Sequence, residues 1–286
     1  MSHYIRLWAE LNKVKITIVV TLTTLAGFTL AARTIDQRII VPLIGIFILA
    51  CGSAALNHYQ ERKKDMLMQR TKNRPIPSGA IKPGSVILMS FVEIILGVWL
   101  IYIGSSWEAA LLGFIAFVWY NLIYTPLKKV SAFAVIPGSV IGSLPPMVGW
   151  VVGGGHLLDE RLIVMALFFF ISQVPHFWLL MLKYGKDYEN AGFPTINNVM
   201  SPIQIRRVTF VWVVATSLDA VMLVITGIFG TLFFKVLVVI ASIWLVVIFS
   251  KLLRKTDTEF NPFKYFMRLN YMLLIIIIAM IIDPLF

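Results

Sequence analysis

Residues 39–57 read IIVPLIGIFILACGSAALN, and residues 58–65 read HYQERKKD. The first stretch carries no charge; the second is mostly charged. A helix rising about 1.5 Å per residue needs about 20 apolar residues to cross the hydrocarbon of a bilayer, and 39–57 meets that length. The switch at its end marks a membrane surface. Eight more runs of the same kind lie near 14–32, 83–103, 108–127, 132–152, 161–182, 208–228, 231–252 and 265–283. The expected fold is all-α: a polytopic membrane bundle of about nine transmembrane helices, forming a single domain over 1–286.

Composition points the same way. The chain is 59% hydrophobic and 14% charged, with a mean hydropathy of +0.85, whereas soluble domains carry roughly 25% charged residues. Cys51 is the lone cysteine, so no intrachain disulfide or thiolate metal cluster is available, and it reads as a small buried hydrophobe. The basic segment Met1–Lys15 leads into an apolar run without a clear small-residue cleavage site, so that run reads as the first span and not as a signal peptide.

A net charge of +11 would suggest nucleic acid in a soluble protein. Here its placement is what matters. With the N-terminus inside and the spans alternating, the inner segments hold Arg6, Lys13 and Lys15; Arg62, Lys63, Lys64, Arg70, Lys72, Arg74 and Lys82; Lys128 and Lys129; Lys183, Lys186, Arg206 and Arg207; and Lys251, Arg254, Lys255, Lys264 and Arg268. Only Arg33, Arg38, Arg161 and Lys235 fall outside. The positive-inside rule then predicts a cytoplasmic N-terminus and an outward C-terminus. Glu93 and Asp219 fall within spans, where an acid reads either as functional or as hydrogen-bonded toward the bundle interior.

Two inner loops carry chemistry. In the first, Asn57, Glu61 and Asp65 are spaced by four, which on a helix stacks them on one face. Three oxygen donors on one face suit a hard cation such as Mg²⁺, though the same spacing also describes a solvated helix end. Arg70, Lys72 and Arg74 follow and suit phosphate oxygens, so acids and bases together describe a diphosphate site. Arg62, Lys63 and Lys64 read as topology-setting charge, His58 and Tyr59 as packing residues, and Pro75 and Pro77 as the end of a loop helix. The second loop contains Pro175-His176-Phe177-Trp178, and then Lys183, Tyr184, Lys186 and Asp187.

These residues resemble the UbiA superfamily of intramembrane prenyltransferases, and within it the protoheme IX farnesyltransferase branch. Asn57, Glu61 and Asp65 with residues 70–79, RTKNRPIPSG, are similar to the family's N-x-x-x-D-x-x-x-D and R-T-x-N-R-P-x-P-S-G. Residues 124–129 (YTPLKK), 144–150 (LPPMVGW), 175–178 (PHFW) and 187–194 (DYENAGFP) resemble further family segments in family order. Glu61 stands where the family usually has Asp, Lys63 replaces an acid, and 131–139 lacks the usual stretch after the lysine pair.

The resemblance implies a farnesyl transfer from farnesyl diphosphate to protoheme IX, giving heme O, with Mg²⁺-assisted loss of diphosphate. It implies Asn57, Glu61, Asp65 and Asp187 as the metal and catalytic set. Arg70, Lys72, Arg74, Lys128 and Lys186 would bind diphosphate. His176, Tyr184 and Trp178 would meet the acceptor, with core packing the competing reading for His176 and for Trp119, Trp150 and Trp178. Heme b, membrane lipid and a heme A synthase or oxidase-assembly protein are the implied partners, in the cell (inner) membrane; no nucleic acid is. A UbiA-type enzyme acting on a quinone precursor or lipid is the alternative acceptor class. A transporter or a non-catalytic heme- or lipid-binding protein is the alternative outside enzymes, against which stand the absence of an internal repeat and the gathering of chemistry at one face.

Overall fold

The computed structural model describes residues 3–253 and 261–286, which contain helices and turns and no strand. Arg254 and Lys255, counted above with the inner charge, lie outside the described residues. A short helix, α1 (His3–Leu11), precedes nine that are long and apolar enough to cross a membrane: α2 (Val14–Ala32), α3 (Ile40–Asp65), α4 (Pro83–Gly104), α5 (Trp107–Leu127), α6 (Val135–Val152), α7 (Glu160–Asn190), α8 (Pro202–Ile225), α9 (Leu232–Phe249) and α10 (Pro262–Ile282). Pro83, Pro202 and Pro262 open α4, α8 and α10 in the first turn, where a missing amide N–H costs nothing.

Two spans outrun their apolar stretches. α3 continues past 57 to Asp65, and α7 past 182 to Asn190, so the polar residues read as loops sit on helical extensions. Hydropathy ends where lipid ends, but a backbone helix does not. The reading of Pro75 and Pro77 as the end of a loop helix is corrected: 66–82 is a series of turns, because α3 has already stopped. The Thr71 hydroxyl takes the Asp65 carbonyl at 3.0 Å, supplying a partner to a carbonyl at the helix end.

Lipid offers the helices no hydrophobic drive to associate, so close contact depends on small residues. A Cβ at Gly27 of α2 would collide with the Pro146 carbonyl oxygen, and one at Gly149 of α6 with that of Thr24. Backbone therefore lies on backbone, and the Pro-Pro-x-x-Gly pattern of α6 works here as a packing surface. Met147 touches both principal apolar cores, one holding Trp150, Phe168, Leu223, Leu245 and Met280, the other Phe28, Leu49, Ile101 and Val148.

At one end of the bundle, Asp283 accepts from the amides of Gly230 (2.6 Å) and Thr231 (2.8 Å) and from the Thr231 hydroxyl (2.7 Å), tying the last turn to the α8–α9 loop. At the opposite end lie the start of α2, the ends of α3, α5 and α7, and loop 66–82. There α1 exposes Tyr4, Ile5 and Trp8. It is held by Glu93 of α4, whose Oε1 accepts from Trp8 Nε1 at 3.1 Å and Asn12 Nδ2 at 3.2 Å. Glu93 thus has a structural partner set. Asp219 is buried, and its Oδ2 has no hydrogen bond among the described residues.

Candidate active site

The C-terminal end of α3 supplies the frame. Asn57, Glu61 and Asp65 are 1%, 5% and 0% exposed and share one face, as their spacing requires. Each meets a cation from a different part of the chain. Lys13 Nζ donates to Asn57 Oδ1 at 2.8 Å and to the Tyr120 hydroxyl at 3.3 Å. Lys128 Nζ pairs with Glu61 Oε1. One Arg74 nitrogen donates to both oxygens of Asp65 at 2.9 Å.

Local backbone explains how these groups arrive. The Trp119–Tyr124 stretch of α5 is a π-helical turn, a common feature of functional sites. Thr125 Oγ1 donates five residues back to the Tyr120 carbonyl at 2.8 Å and accepts from Asn57 Nδ2 at 3.0 Å. Asn121 donates to the Ser53 carbonyl at 3.0 Å, and Gln60 to the Asn121 carbonyl at 2.9 Å, which fixes α5 against α3 in register. Lys13 joins α1 to α2 in the left-handed conformation (φ 46°, ψ 45°), a geometry costing about 1–3 kcal/mol in a non-glycine residue. The anchoring of α1 on Glu93 and the two bonds of the ammonium offset that strain.

The charge balance is unequal. Lys13, Arg74 and Lys128 face two carboxylates, Glu61 and Asp65, and Lys13 has only neutral acceptors. Burial, reinforced by the nearby Arg74 and Lys128 and only partly countered by Glu61 and Asp65, pushes the Lys13 ammonium down to about 7. Lys128 behaves oppositely: burial works against its charge, but the Glu61 carboxylate, together with Tyr124, Tyr188 and Tyr120, outweighs burial and holds it above the ordinary lysine value. With Lys13 protonated the buried pocket sets three cations against two carboxylates, and a bound anion would favour that protonated form.

A second group adjoins it at the C-terminal end of α7. Asp187 accepts the backbone N–H of Gln69 (2.8 Å) and of Arg70 (3.1 Å). Asp187, expected with the metal-binding acids, thus also ties α7 to loop 66–82. Among the described residues no three His, Cys, Asp or Glu side chains gather closely enough to hold a metal ion. Lys64, on α3, donates to the carbonyls of Ala191 (2.6 Å) and Gly192 (3.1 Å), tying the end of α3 to the turn after α7; Gly192 has φ +69°, which favours glycine there. The Arg70 guanidinium lies 4.9 Å from the Tyr184 ring centre and reaches the Tyr188 hydroxyl at 3.3 Å. Lys72 and Lys186 are exposed.

The acceptor set divides. His176 Nδ1 lies 2.8 Å from Asn270 Oδ1, with Phe177 and Phe266 rings at 5.5 and 4.6 Å. Trp178, two residues on and so on the far side of the helix, is 2% exposed and packs edge-on against Trp212. It packs in the core and stands apart from His176, with which the sequence reading grouped it. Trp119 and Trp150 donate to the carbonyls of Pro137 (2.7 Å) and His156 (3.2 Å). His58 is buried, and neither ring nitrogen has a hydrogen-bond partner among the described residues. Sequence reading missed Lys13, Tyr120 and Thr125. Thr125 lay inside a recognised segment without a role, and Lys13 was read only as topology charge.

Asn57, Glu61 and Asp65 are hard oxygen donors on one face, and each meets a cationic group at those oxygens, so the residues present fit Mg²⁺ in donor type.

The profile of the UbiA prenyltransferase family matches residues 20–272. A protoheme IX farnesyltransferase of Geobacter sulfurreducens is 39% identical over 173 residues, 60% of this chain and 64% of that protein. The one from Bartonella bacilliformis is 32% identical over 262 residues, 88% of this chain and 81% of its own length. Among solved structures, digeranylgeranylglyceryl phosphate synthase superposes with a TM-score of 0.80 at 18% identity, covering 99% of both chains. A UbiA homologue from Archaeoglobus fulgidus bound to DMAPP and Mg²⁺ gives 0.75 at 13% identity, covering 96% of this chain and 98% of its own. At these identities the two structures speak to the fold.

Proposed function

The chain belongs to the UbiA prenyltransferase family, and from that premise we propose that it transfers a farnesyl group from farnesyl diphosphate to protoheme IX, giving heme O. The observation that carries the reading is the buried pocket in which Lys13, Arg74 and Lys128 outnumber Glu61 and Asp65 at the polar end of an apolar bundle. The names of the relatives support heme as acceptor, and the ligands of the Archaeoglobus homologue support a prenyl diphosphate and a divalent ion.

The diphosphate lies against Lys13, Arg74 and Lys128, with Arg70, Lys72 and Lys186 closing from the loops. The allylic C–O bond breaks and its electron pair leaves with the diphosphate. Cations already in place stabilise the charge that grows there, without reorganisation at the moment of reaction. Asn57, Glu61 and Asp65 would hold Mg²⁺, which would supply further neutralisation of that leaving group. Asp187 seats the loop that carries Arg70. The farnesyl tail lies among the apolar spans, and a heme vinyl carbon attacks the allylic cation. Water then adds to the resulting carbocation and loses a proton, leaving the hydroxyethylfarnesyl substituent. His176 and Tyr184 face the porphyrin. The chain acts as one unit over 1–286 in the inner membrane, N-terminus in the cytoplasm and C-terminus outside, and hands heme O to a heme A synthase or oxidase-assembly protein.

Purified protein in detergent, given farnesyl diphosphate, Mg²⁺ and heme, should form a farnesyl-hydroxyethyl heme detectable by mass spectrometry and abolished by chelator. Diphosphate release only with a quinone precursor or lipid would move the acceptor. No turnover with any acceptor would overturn the enzymatic reading in favour of binding or transport.

A further inference from the structure

We propose that Asn270, on α10, is a positioning residue that makes Nε2 of His176 an axial ligand for the iron of bound heme. The inference rests on the reading of heme as the acceptor and goes beyond it.

The Nδ1–Oδ1 distance is 2.8 Å. An amide oxygen only accepts, so Nδ1 must carry the hydrogen. A neutral imidazole has one ring hydrogen, which leaves a lone pair on Nε2. Metal-ligating histidines are typically arranged this way, the second nitrogen donating to a carbonyl or carboxylate that fixes the tautomer and the ring plane. The plane is further set by two aromatic neighbours, Phe177 at 88° to the imidazole and Phe266 at 49°. Nε2 has no hydrogen-bond partner among the described residues, although Nδ1 is held and the side chain is only partly buried.

The position suits the reaction. Phe177, the next residue, lies 6.2 Å from the Tyr124 ring, and Lys128 Nζ lies 5.6 Å from that same ring before it reaches Glu61. The imidazole thus sits two side chains from the anion pocket, on its apolar side. A porphyrin ligated there keeps its iron at the histidine and carries its vinyl groups on its rim. Asn270 lies outside the motif-bearing stretch of the chain and reaches His176 only through the packing of α10 on α7.

Ferric heme titrated into the purified protein tests this by optical and electron paramagnetic resonance spectroscopy, independently of turnover. The wild type should show a histidine-ligated signature. His176→Ala should lose it, and His176→Gly should recover it with added imidazole. Asn270→Leu should bind heme about 10–100-fold more weakly with an altered ligation spectrum. Asn270→Asp, which keeps an acceptor, should stay near wild type and shows that the position tolerates change. If Asn270→Leu and His176→Ala keep wild-type spectrum and affinity while the wild type still farnesylates heme, the ligand assignment fails and the reaction stands. A wild type that neither binds nor farnesylates heme overturns both.

Discussion

Lys13 and Asn57, 44 residues apart, share a 2.8 Å hydrogen bond in which the lysine ammonium donates to the amide oxygen. The residue that begins the first span thus enters the pocket built on the second. Its ammonium has no carboxylate of its own, which suits it to meet the oxygens of a bound diphosphate.

Lys13→Met should lower turnover about 10²–10³-fold, the scale for loss of one preplaced group that stabilises developing charge. Lys13→Arg should retain a measurable fraction. Initial rates on folded, purified variants decide this; a Lys13→Met rate within twofold of wild type would remove Lys13 from the site.

The Lys128–Glu61 pair is nearly buried, with side chains 18% and 6% exposed. Removing one partner leaves an uncompensated charge and should destabilise by about 3–5 kcal/mol. Lys128→Met combined with Glu61→Met should therefore melt above either single variant in detergent, although all three should be inactive. A double variant that melts at the sum of the single losses would contradict a direct pair.

Asp187→Ala takes the acceptors from the amides of Gln69 and Arg70. Hydrogen bonds to a charged group contribute about 1.5–3 kcal/mol each, so those amides should exchange with solvent at least tenfold faster. The apparent affinity for farnesyl diphosphate should fall with them. Unchanged exchange at both positions would show that loop 66–82 is held by other contacts.

Glu93 tests whether α1 carries Lys13 into place. Glu93→Gln keeps an acceptor for Trp8 and Asn12 and should stay near wild type. Glu93→Leu removes it and should reduce turnover about tenfold, the effect of a lost buried hydrogen bond of roughly 1.4 kcal/mol. Equal rates for the two substitutions would detach α1 from catalysis.

Much of this protein was legible from local pattern. Uncharged runs of membrane length are a property of contiguous residues, and all nine spans could be read from them. The four-residue spacing of Asn57, Glu61 and Asp65 sets one face of one helix, which depends on helical periodicity alone. Where hydropathy changed before the backbone did, at 57 and at 182, the spans were read short, because burial in neighbouring protein replaces burial in lipid on α3 and α7.

Which cation meets which oxygen was a matter of tertiary structure. Lys13, Arg74 and Lys128 look alike as surface lysine or arginine in an inner segment; their partners depend on how α2, α5 and loop 66–82 are rotated and seated around α3. That rotation follows from contacts such as Gly27 on Pro146 and Gly149 on Thr24, where backbone meets backbone. The same packing turned Trp178 into the core, gave Asp187 to the amides of the neighbouring loop, and brought Asn270 to His176. Sequence by itself determined the spans and the acidic face, since both are local. The pairing of charges required the folded bundle, because a hydrogen bond between distant residues is set by the geometry of every helix between them.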